Sequence, residues 1–145
     1  MLQIRRIPSS DTHALRQAVL RPHQTLAEMT YDGDALPGSG HFGLFDGDRH
    51  LGIASVAPEP QPGEAGEGQW RVRGMAVLPA AQGTGGGRLL LTACVDHARS
   101  EGGQIVWCNA RSSACGFYER NGFHSVGDPF DLPGIGEHFV MVRHL

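Results

Sequence analysis

Met75-Ala-Val-Leu-Pro-Ala-Ala-Gln-Gly-Thr-Gly-Gly-Gly-Arg88 is the stretch that decides the fold of this chain. Strand-forming residues lead into it from Trp70 and stop at Pro79, and three consecutive glycines begin at Gly85. After the glycines, apolar residues recur at the spacing of one helix face, namely at Leu90, Leu91, Cys94, Val95 and Ala98. The stretch therefore predicts a strand, a glycine loop and a helix in succession.

The glycine loop predicts a binding site for an anion, most simply a phosphate. Without Cβ atoms, its backbone N–H groups can approach a ligand closely, and the positive end of the helix dipole favours negative charge there. A nucleoside-triphosphate loop is excluded, because it needs a lysine and all 12 basic residues of the chain are arginine. A dinucleotide loop is disfavoured, because Arg88 follows Gly83 and Gly85 where a third glycine belongs.

Length and composition are those of one globular domain spanning residues 1–145. The chain is 40% apolar, and its net charge of −3 provides no basic surface for nucleic acid. The three cysteines lack Cys-x-x-Cys spacing and the eight histidines lack His-x-x-x-His spacing, so neither disulfides nor a metal site is expected. Without a signal peptide or a membrane-spanning apolar run, the sequence predicts a cytoplasmic protein with no membrane partner.

The residues before the glycine loop predict antiparallel strands and one longer helix. The expected strands are 2–7, 41–45, 50–56 and 70–78. Asp46–Arg49 is a hairpin turn between the second and third of them. The helix is expected over Ser9–Leu20, with a capping residue among 9–11, and three apolar residues are expected to face inward: Leu15, Ala18 and Val19. A short helix and a loop are expected in 23–40.

After the loop helix, the chain predicts a strand at Gln104–Cys108, a short helix that contains Phe117, and a last antiparallel pair at 123–126 and 138–145. A strand, a helical crossover and another strand form a parallel pair when they share a sheet. The fold class is therefore α/β with an α+β-like mixed sheet, in which most strands are antiparallel.

Two motifs resemble the GNAT superfamily of N-acetyltransferases, which use acetyl-coenzyme A. Gln82-x-x-Gly85-x-Gly87 resembles the pyrophosphate-binding loop of that superfamily. Trp107-Cys-Asn-Ala-Arg111 and Phe117-Tyr-Glu-Arg-Asn-Gly-Phe123 resemble its second half. The resemblance covers roughly residues 40–145. In the residues before these, only the topology is similar. It implies a central parallel pair of strands that splays to admit acetyl-CoA.

The resemblance also implies which residues hold acetyl-CoA, with no metal involved. The pyrophosphate would be bound by backbone N–H groups, with Arg88 nearby. These groups belong to Gln82, Gly83, Thr84, Gly85, Gly86 and Gly87. The pantetheine arm would pair with the backbone of Met75, Ala76 and Val77 and would contact Asn109. The N–H of Val77 would lie near the thioester carbonyl, where it could stabilise the developing oxyanion.

Acid–base chemistry assigns further roles. Tyr118 is the expected general acid, because the resemblance implies that its hydroxyl points at the coenzyme A sulfur and a phenol is a suitable donor to a thiolate. The general base stays open among Glu137, His138, Glu28, His41 and water. The C-terminal segment resembles a GNAT branch with the sequence Gly-Ile-x-x-His-x-x-Met, although Glu137 stands where that branch often has proline.

The expected reaction is direct transfer of acetyl from acetyl-CoA to a primary amine of a small molecule or peptide. A carboxylate of this acceptor could bind to Arg21, His23 or Arg73. Its ammonium could bind to Glu28, Asp32 or Asp34. Two alternatives remain: a non-catalytic acyl-CoA sensor and a nucleotide-dependent oxidoreductase. A homodimer is possible, since dimers are common in the superfamily.

Overall fold

The computed structural model describes residues 1–145, and seven strands form one mixed sheet. The strands are β1 (Leu2–Arg6), β2 (Gly40–Asp46), β3 (Arg49–Pro58), β4 (Gln69–Val77), β5 (Ile105–Arg111), β6 (His124–Leu132) and β7 (Gly136–His144). Their order across the sheet is β1-β2-β3-β4-β5-β7-β6. Only β4 and β5 are parallel, so the predicted fold class is confirmed.

The helices are α1 (His13–Leu15), α2 (Gly86–Ser100) and α3 (Cys115–Arg120). A 3-10 turn, Ser9–Thr12, precedes α1 and a π turn, Arg16–Leu20, follows it, so the chain is helical throughout the predicted span. Further 3-10 turns occur at Leu26–Met29, Pro79–Ala81 and Ser112–Ala114. None of the helices combines the length and the hydropathy that a transmembrane span requires.

The parallel pair separates soon after it forms. Three residue pairs join β4 to β5, and the last of them is Arg71 with Trp107. Beyond this pair, β4 stays bonded to β3 on one side, and β5 stays bonded to β7 on the other. The facing edges of β4 and β5 therefore have no strand partner and enclose a wedge-shaped opening.

A bulge in β4 lies where the strands separate. The register with β3 shifts between Ile53, which pairs with Ala76, and Ser55, which pairs with Arg73. Gly74, inside the bulge, has a φ of +65°, and a Cβ there would lie 3.0 Å from Nε of Arg16. Because a bulge bends its strand and increases the local twist, it redirects β4 at the opening.

The core forms where α2 packs against the sheet. The five apolar residues predicted to share one face of α2 are all buried in the main core. Gly86, in the first turn of α2, lies against Leu44 of β2, whose side chain would overlap a Cβ at that position. The glycine run thus lets the helix begin in direct contact with the sheet, as well as shaping the loop.

Two parts of the fold differ from the sequence-based expectation. The prediction that Ala18 faces inward was wrong, because Ala18 is exposed. Arg16 is instead completely buried, together with its polar partners. No side chain among 9–11 caps the helical segment, and Pro8 occupies the N-cap position.

The last hairpin is also longer than expected, since β6 continues through Pro129. A proline is tolerated there because β6 is the edge strand and needs fewer ladder hydrogen bonds.

Candidate active site

A cavity of about 530 Å³ opens where β4 and β5 diverge. Its walls come from these two strands, from α3, from β7 and from the segment between Leu20 and Asp32. Among the residues predicted to act in catalysis or cofactor binding, five line this cavity: Glu28, Met75, Asn109, Tyr118 and His138. The fold therefore brings together side chains that lie far apart in the sequence.

Tyr118 is held at the cavity wall by α3. Its ring packs edge-on against Phe117 and Phe123, with centroids 5.2 and 5.4 Å away. Its hydroxyl lies 3.9 Å from Sδ of Met75 on β4. Burial, followed by the neighbouring thiol of Cys108, raises the pKa of Tyr118 well above its ordinary value. The phenol therefore stays protonated at neutral pH and can act as a proton donor.

The thiols near Tyr118 are poorly suited to nucleophilic chemistry. Burial raises the pKa of Cys108 to about 12, even though a hydrogen bond with Tyr118 acts in the opposite direction. Burial also raises the pKa values of Cys94 and Cys115. Since the thiolate is the reactive form of cysteine, these side chains behave as apolar packing groups at neutral pH.

His138 is buried on β7, with only 3% of its surface exposed. Its Nδ1 lies 2.8 Å from the carbonyl oxygen of Gly136. Because a carbonyl only accepts, Nδ1 must carry the proton in this hydrogen bond, which leaves Nε2 as the acceptor of the neutral ring. Glu137, the adjacent candidate, is exposed and does not line the cavity, as expected for neighbouring residues of a strand that face opposite sides.

The β4–β5 opening presents unsatisfied polar groups. Oδ1 of Asn109 on β5 is buried without a hydrogen-bond partner. Across the opening lie Met75, in the β4 bulge, and Ala76 and Val77, whose backbone pairs with β3. None of the three has a strand partner on the β5 side. Buried polar groups are normally hydrogen-bonded, so these edges fit an extended ligand arm with amide groups of its own.

The glycine loop is open to solvent beyond the cavity wall. Gly83 and Gly85 have φ values of +78° and +86°, and no heavy atom lies within 4 Å of a Cβ built at either residue. Gly85 is the N-cap residue of α2, so the free N–H groups of the first helical turn follow it. Gln82 donates from Nε2 to the carbonyl of Val77 at 3.1 Å, and Arg88 is exposed. The loop therefore leaves open space beside these N–H groups.

A buried polar network lies behind the cavity and was not predicted. Arg16 donates to both carboxylate oxygens of Asp34, at 2.7 and 3.0 Å, to the carbonyl of Met29 at 2.7 Å and to Oγ of Ser55 at 3.0 Å. Asp34 also accepts the backbone N–H of Tyr31, at 2.9 Å. Burial alone would raise the pKa of Asp34, but the hydrogen bonds from Arg16 and Tyr31 outweigh it and hold the pKa below its ordinary value.

This network changes the roles open to several candidates. Asp34 is already paired with Arg16, so it is not free to receive an ammonium. His41 is bonded through Nδ1 to Ser55 and through Nε2 to the carbonyl of Asp34, so both ring nitrogens are engaged. Glu28 lines the cavity while capping a 3-10 turn through Thr25. His23 is exposed and lies outside the lining, whereas Arg21, Asp32 and Arg73 are within it.

Comparisons with known proteins show which family the chain resembles. The family model for the acetyltransferase (GNAT) family matches residues 3–123. An uncharacterized N-acetyltransferase of Bacillus subtilis (strain 168), YitI, is 38% identical over 145 residues, which cover 100% of this chain and 97% of YitI.

Two solved structures share the fold. A GCN5-related N-acetyltransferase from Kribbella flavida is 26% identical, with a TM-score of 0.73, over 99% of this chain and 98% of that chain. The NatC complex bound to Gag peptide and CoA contains a chain that is 15% identical, with a TM-score of 0.79, over 99% of this chain and 98% of that chain. Because the family model spans most of the sequence and YitI matches it from end to end, the chain belongs to the acetyltransferase (GNAT) family of acyltransferases.

Proposed function

We propose that this protein transfers the acetyl group of acetyl-CoA directly to a primary amine. The observation that carries the proposal is that one cavity contains two complementary groups for proton transfer. They are the buried, protonated phenol of Tyr118 and the imidazole of His138, whose Nε2 is an acceptor. Membership of the family supports acyl transfer, and the CoA in the related NatC structure supports the donor class. The raised pKa values of the thiols support direct transfer without an acyl-cysteine.

Three features of the chain support the binding of acetyl-CoA. Backbone N–H groups of residues 82–87 would hold the pyrophosphate, with the exposed Arg88 beside them. The unpaired β4 edge at residues 75–77 would bond the amides of the pantetheine arm, and the orphaned Oδ1 of Asn109 would accept from the same arm. This arrangement would direct the thioester end of the ligand towards Tyr118.

The reaction forms a C–N bond, breaks the C–S bond of the thioester, and moves one proton from the amine to the leaving sulfur. Nε2 of His138 takes the amine proton, and the Tyr118 hydroxyl gives its proton to the sulfur. The N–H of Val77 stabilises the negative charge that develops on the carbonyl oxygen. Proton exchange with solvent then restores the imidazole and the phenol.

Replacing His138 with glutamine is expected to lower kcat/KM by about 10²- to 10⁴-fold near neutral pH, since the variant loses the base. The deficit should shrink as the pH rises, because a growing share of the amine is then neutral without assistance. Steady-state kinetics across a pH series measures both effects.

His124→Gln makes the same change at an exposed histidine of β6 and should leave the pH profile unaltered. Glu137→Gln tests the other candidate base in parallel. Normal turnover by the His138 variant, together with a loss in the Glu137 variant, would transfer the role of base to Glu137.

The proposed function is tested by incubating the protein with acetyl-CoA and a panel of amines, and recording the products by mass spectrometry. Acetylation adds about 42 Da whatever the acceptor, and one equivalent of free thiol should appear with each product. Binding of acetyl-CoA without product from any amine would instead indicate a non-catalytic acyl-CoA sensor.

A further inference from the structure

The cavity is positively charged, although the chain as a whole is acidic. Four arginines line it: Arg21, Arg71, Arg73 and Arg111. Only two carboxylates do so, Glu28 and Asp32. Glu59, outside the lining, pairs with Arg71 at 3.0 Å, which leaves three guanidinium groups in the wall without a carboxylate partner. A cavity with an excess of one sign of charge concentrates ligands of the opposite sign.

Arg73 is the most constrained of these groups. Its side chain is half-buried and makes no hydrogen bond or ion pair with the protein, and its guanidinium carbon lies 4.4 Å from the ring centroid of Tyr31. Burial, and then the charge of Arg71, lower the pKa of Arg73, so its charged form is disfavoured where it stands. An anion supplied by a ligand would offset this cost.

Tyr31 and Gly74 fix the position of Arg73. Tyr31, on which it packs, is held by the hydrogen bond from its N–H to Asp34 and by the guanidinium of Arg16, 4.0 Å from the ring centroid. Gly74, the next residue, holds the bulge that turns β4 into the opening. Arg73 is therefore presented to the cavity by a preorganised support, and two residues later Met75 contacts Tyr118.

We propose that the acceptor is a small amine that also carries a carboxylate, as amino acids do, and that Arg73 binds this carboxylate. Arg21 and Arg111, which each donate only to the carbonyl of Leu20, provide further positive charge nearby. A polyamine or another polycation is disfavoured, because it would enter a wall in which arginines outnumber carboxylates. The inference rests on the proposed function and specifies its substrate class.

The test uses the proteinogenic amino acids and their carboxamides as matched acceptors. Each pair keeps the carbon skeleton and replaces the carboxylate by a neutral amide, which also makes the amine less basic, so the change in the ratio of the two kcat/KM values between wild type and Arg73 variants reports recognition of the charge. We expect the wild type to favour the best acid over its amide by about 10- to 100-fold, and Arg73→Gln to abolish this preference by slowing only the acid. Arg73→Lys should retain part of it.

Arg99→Gln removes the same charge from the exposed face of α2 and serves as the control for net charge. A wild-type ratio near one, a ratio that Arg73→Gln does not change, or a preference for polyamines would overturn the inference while leaving acetyl transfer in place. If no amine of any class gains an acetyl group, the proposed function itself fails and the carboxylate site fails with it.

Discussion

Replacing Tyr118 with phenylalanine is expected to lower kcat by about 10²- to 10⁴-fold, while the Kd for acetyl-CoA stays within about twofold of the wild-type value. The phenol is the proton donor that reaches the β4 edge at Met75, and the leaving sulfur needs a proton to depart. Phenylalanine preserves the edge-on packing with Phe117 and Phe123, so the shape of the site is unchanged. Steady-state kinetics, together with calorimetric titration of acetyl-CoA, separates the two quantities.

The loss of turnover should not arise from unfolding. The hydroxyl's hydrogen-bond partners are two weakly accepting sulfur atoms, Sδ of Met75 at 3.9 Å and the thiol of Cys108, so its removal should change the free energy of unfolding by less than about 1 kcal/mol. Thermal denaturation provides this control. Wild-type turnover by Tyr118→Phe would remove the phenol from the mechanism.

The raised pKa of Tyr118 adds a pH criterion to the same variant. Because burial keeps the phenol protonated beyond its ordinary pKa of about 10, the wild-type kcat should show no loss from phenol ionisation between about pH 8 and pH 10. A decrease within this interval that is absent in Tyr118→Phe would contradict the assignment of the group as an acid with a raised pKa.

Local sequence patterns were sufficient to predict the elements that surround the glycine loop. The apolar repeat after Gly85 predicts the buried face of α2, and the turn at Asp46–Arg49 predicts the β2–β3 hairpin. The parallel pair follows from the crossover between β4 and β5. Each of these inferences depends on neighbouring residues and on short, regular spacings, which sequence alone displays.

The acceptor side of the cavity could not be predicted in this way. A helical pattern assigns charged residues to the solvent face, so it cannot reveal that Arg16 is buried. The groups that make this burial possible come from three separate segments, at Met29, Asp34 and Ser55. The sequence therefore indicates that Asp34 is free to bind a ligand, and it assigns no role to Tyr31 at the site. Only the tertiary structure brings these groups together.

Replacing Asp34 with asparagine is expected to lower the free energy of unfolding by about 3–5 kcal/mol. The side chain of Arg16 is 0% exposed, so the variant would leave a buried guanidinium without its carboxylate. Asparagine has nearly the same shape, so the cost comes from the lost charge and not from a cavity. Urea denaturation at pH 7 measures it. Asp32→Asn, which removes the same charge from an exposed residue with no ion pair, should change stability by less than about 0.5 kcal/mol.

The effect of Asp34→Asn should also depend on pH, with a defined sign. The native pKa of Asp34 is held below the unfolded value of about 3.9, so the ionised carboxylate stabilises the fold above that pH and its contribution is lost as the pH falls through the native pKa. The stability difference between wild type and variant should therefore be constant above about pH 5 and shrink in acid. A difference that is independent of pH would contradict the ion-pair explanation.

A second variant distinguishes an unpaired buried charge from the loss of packing around Asp34. Arg16→Met combined with Asp34→Leu removes both charges and keeps the interior filled, and replacing a buried ion pair by apolar residues is often close to neutral. We expect the double variant to be more stable than Asp34→Asn, although it removes more hydrogen bonds. If the double variant is the less stable of the two, the network stabilises the fold through its hydrogen bonds to Met29 and Ser55, and the charge pairing is secondary.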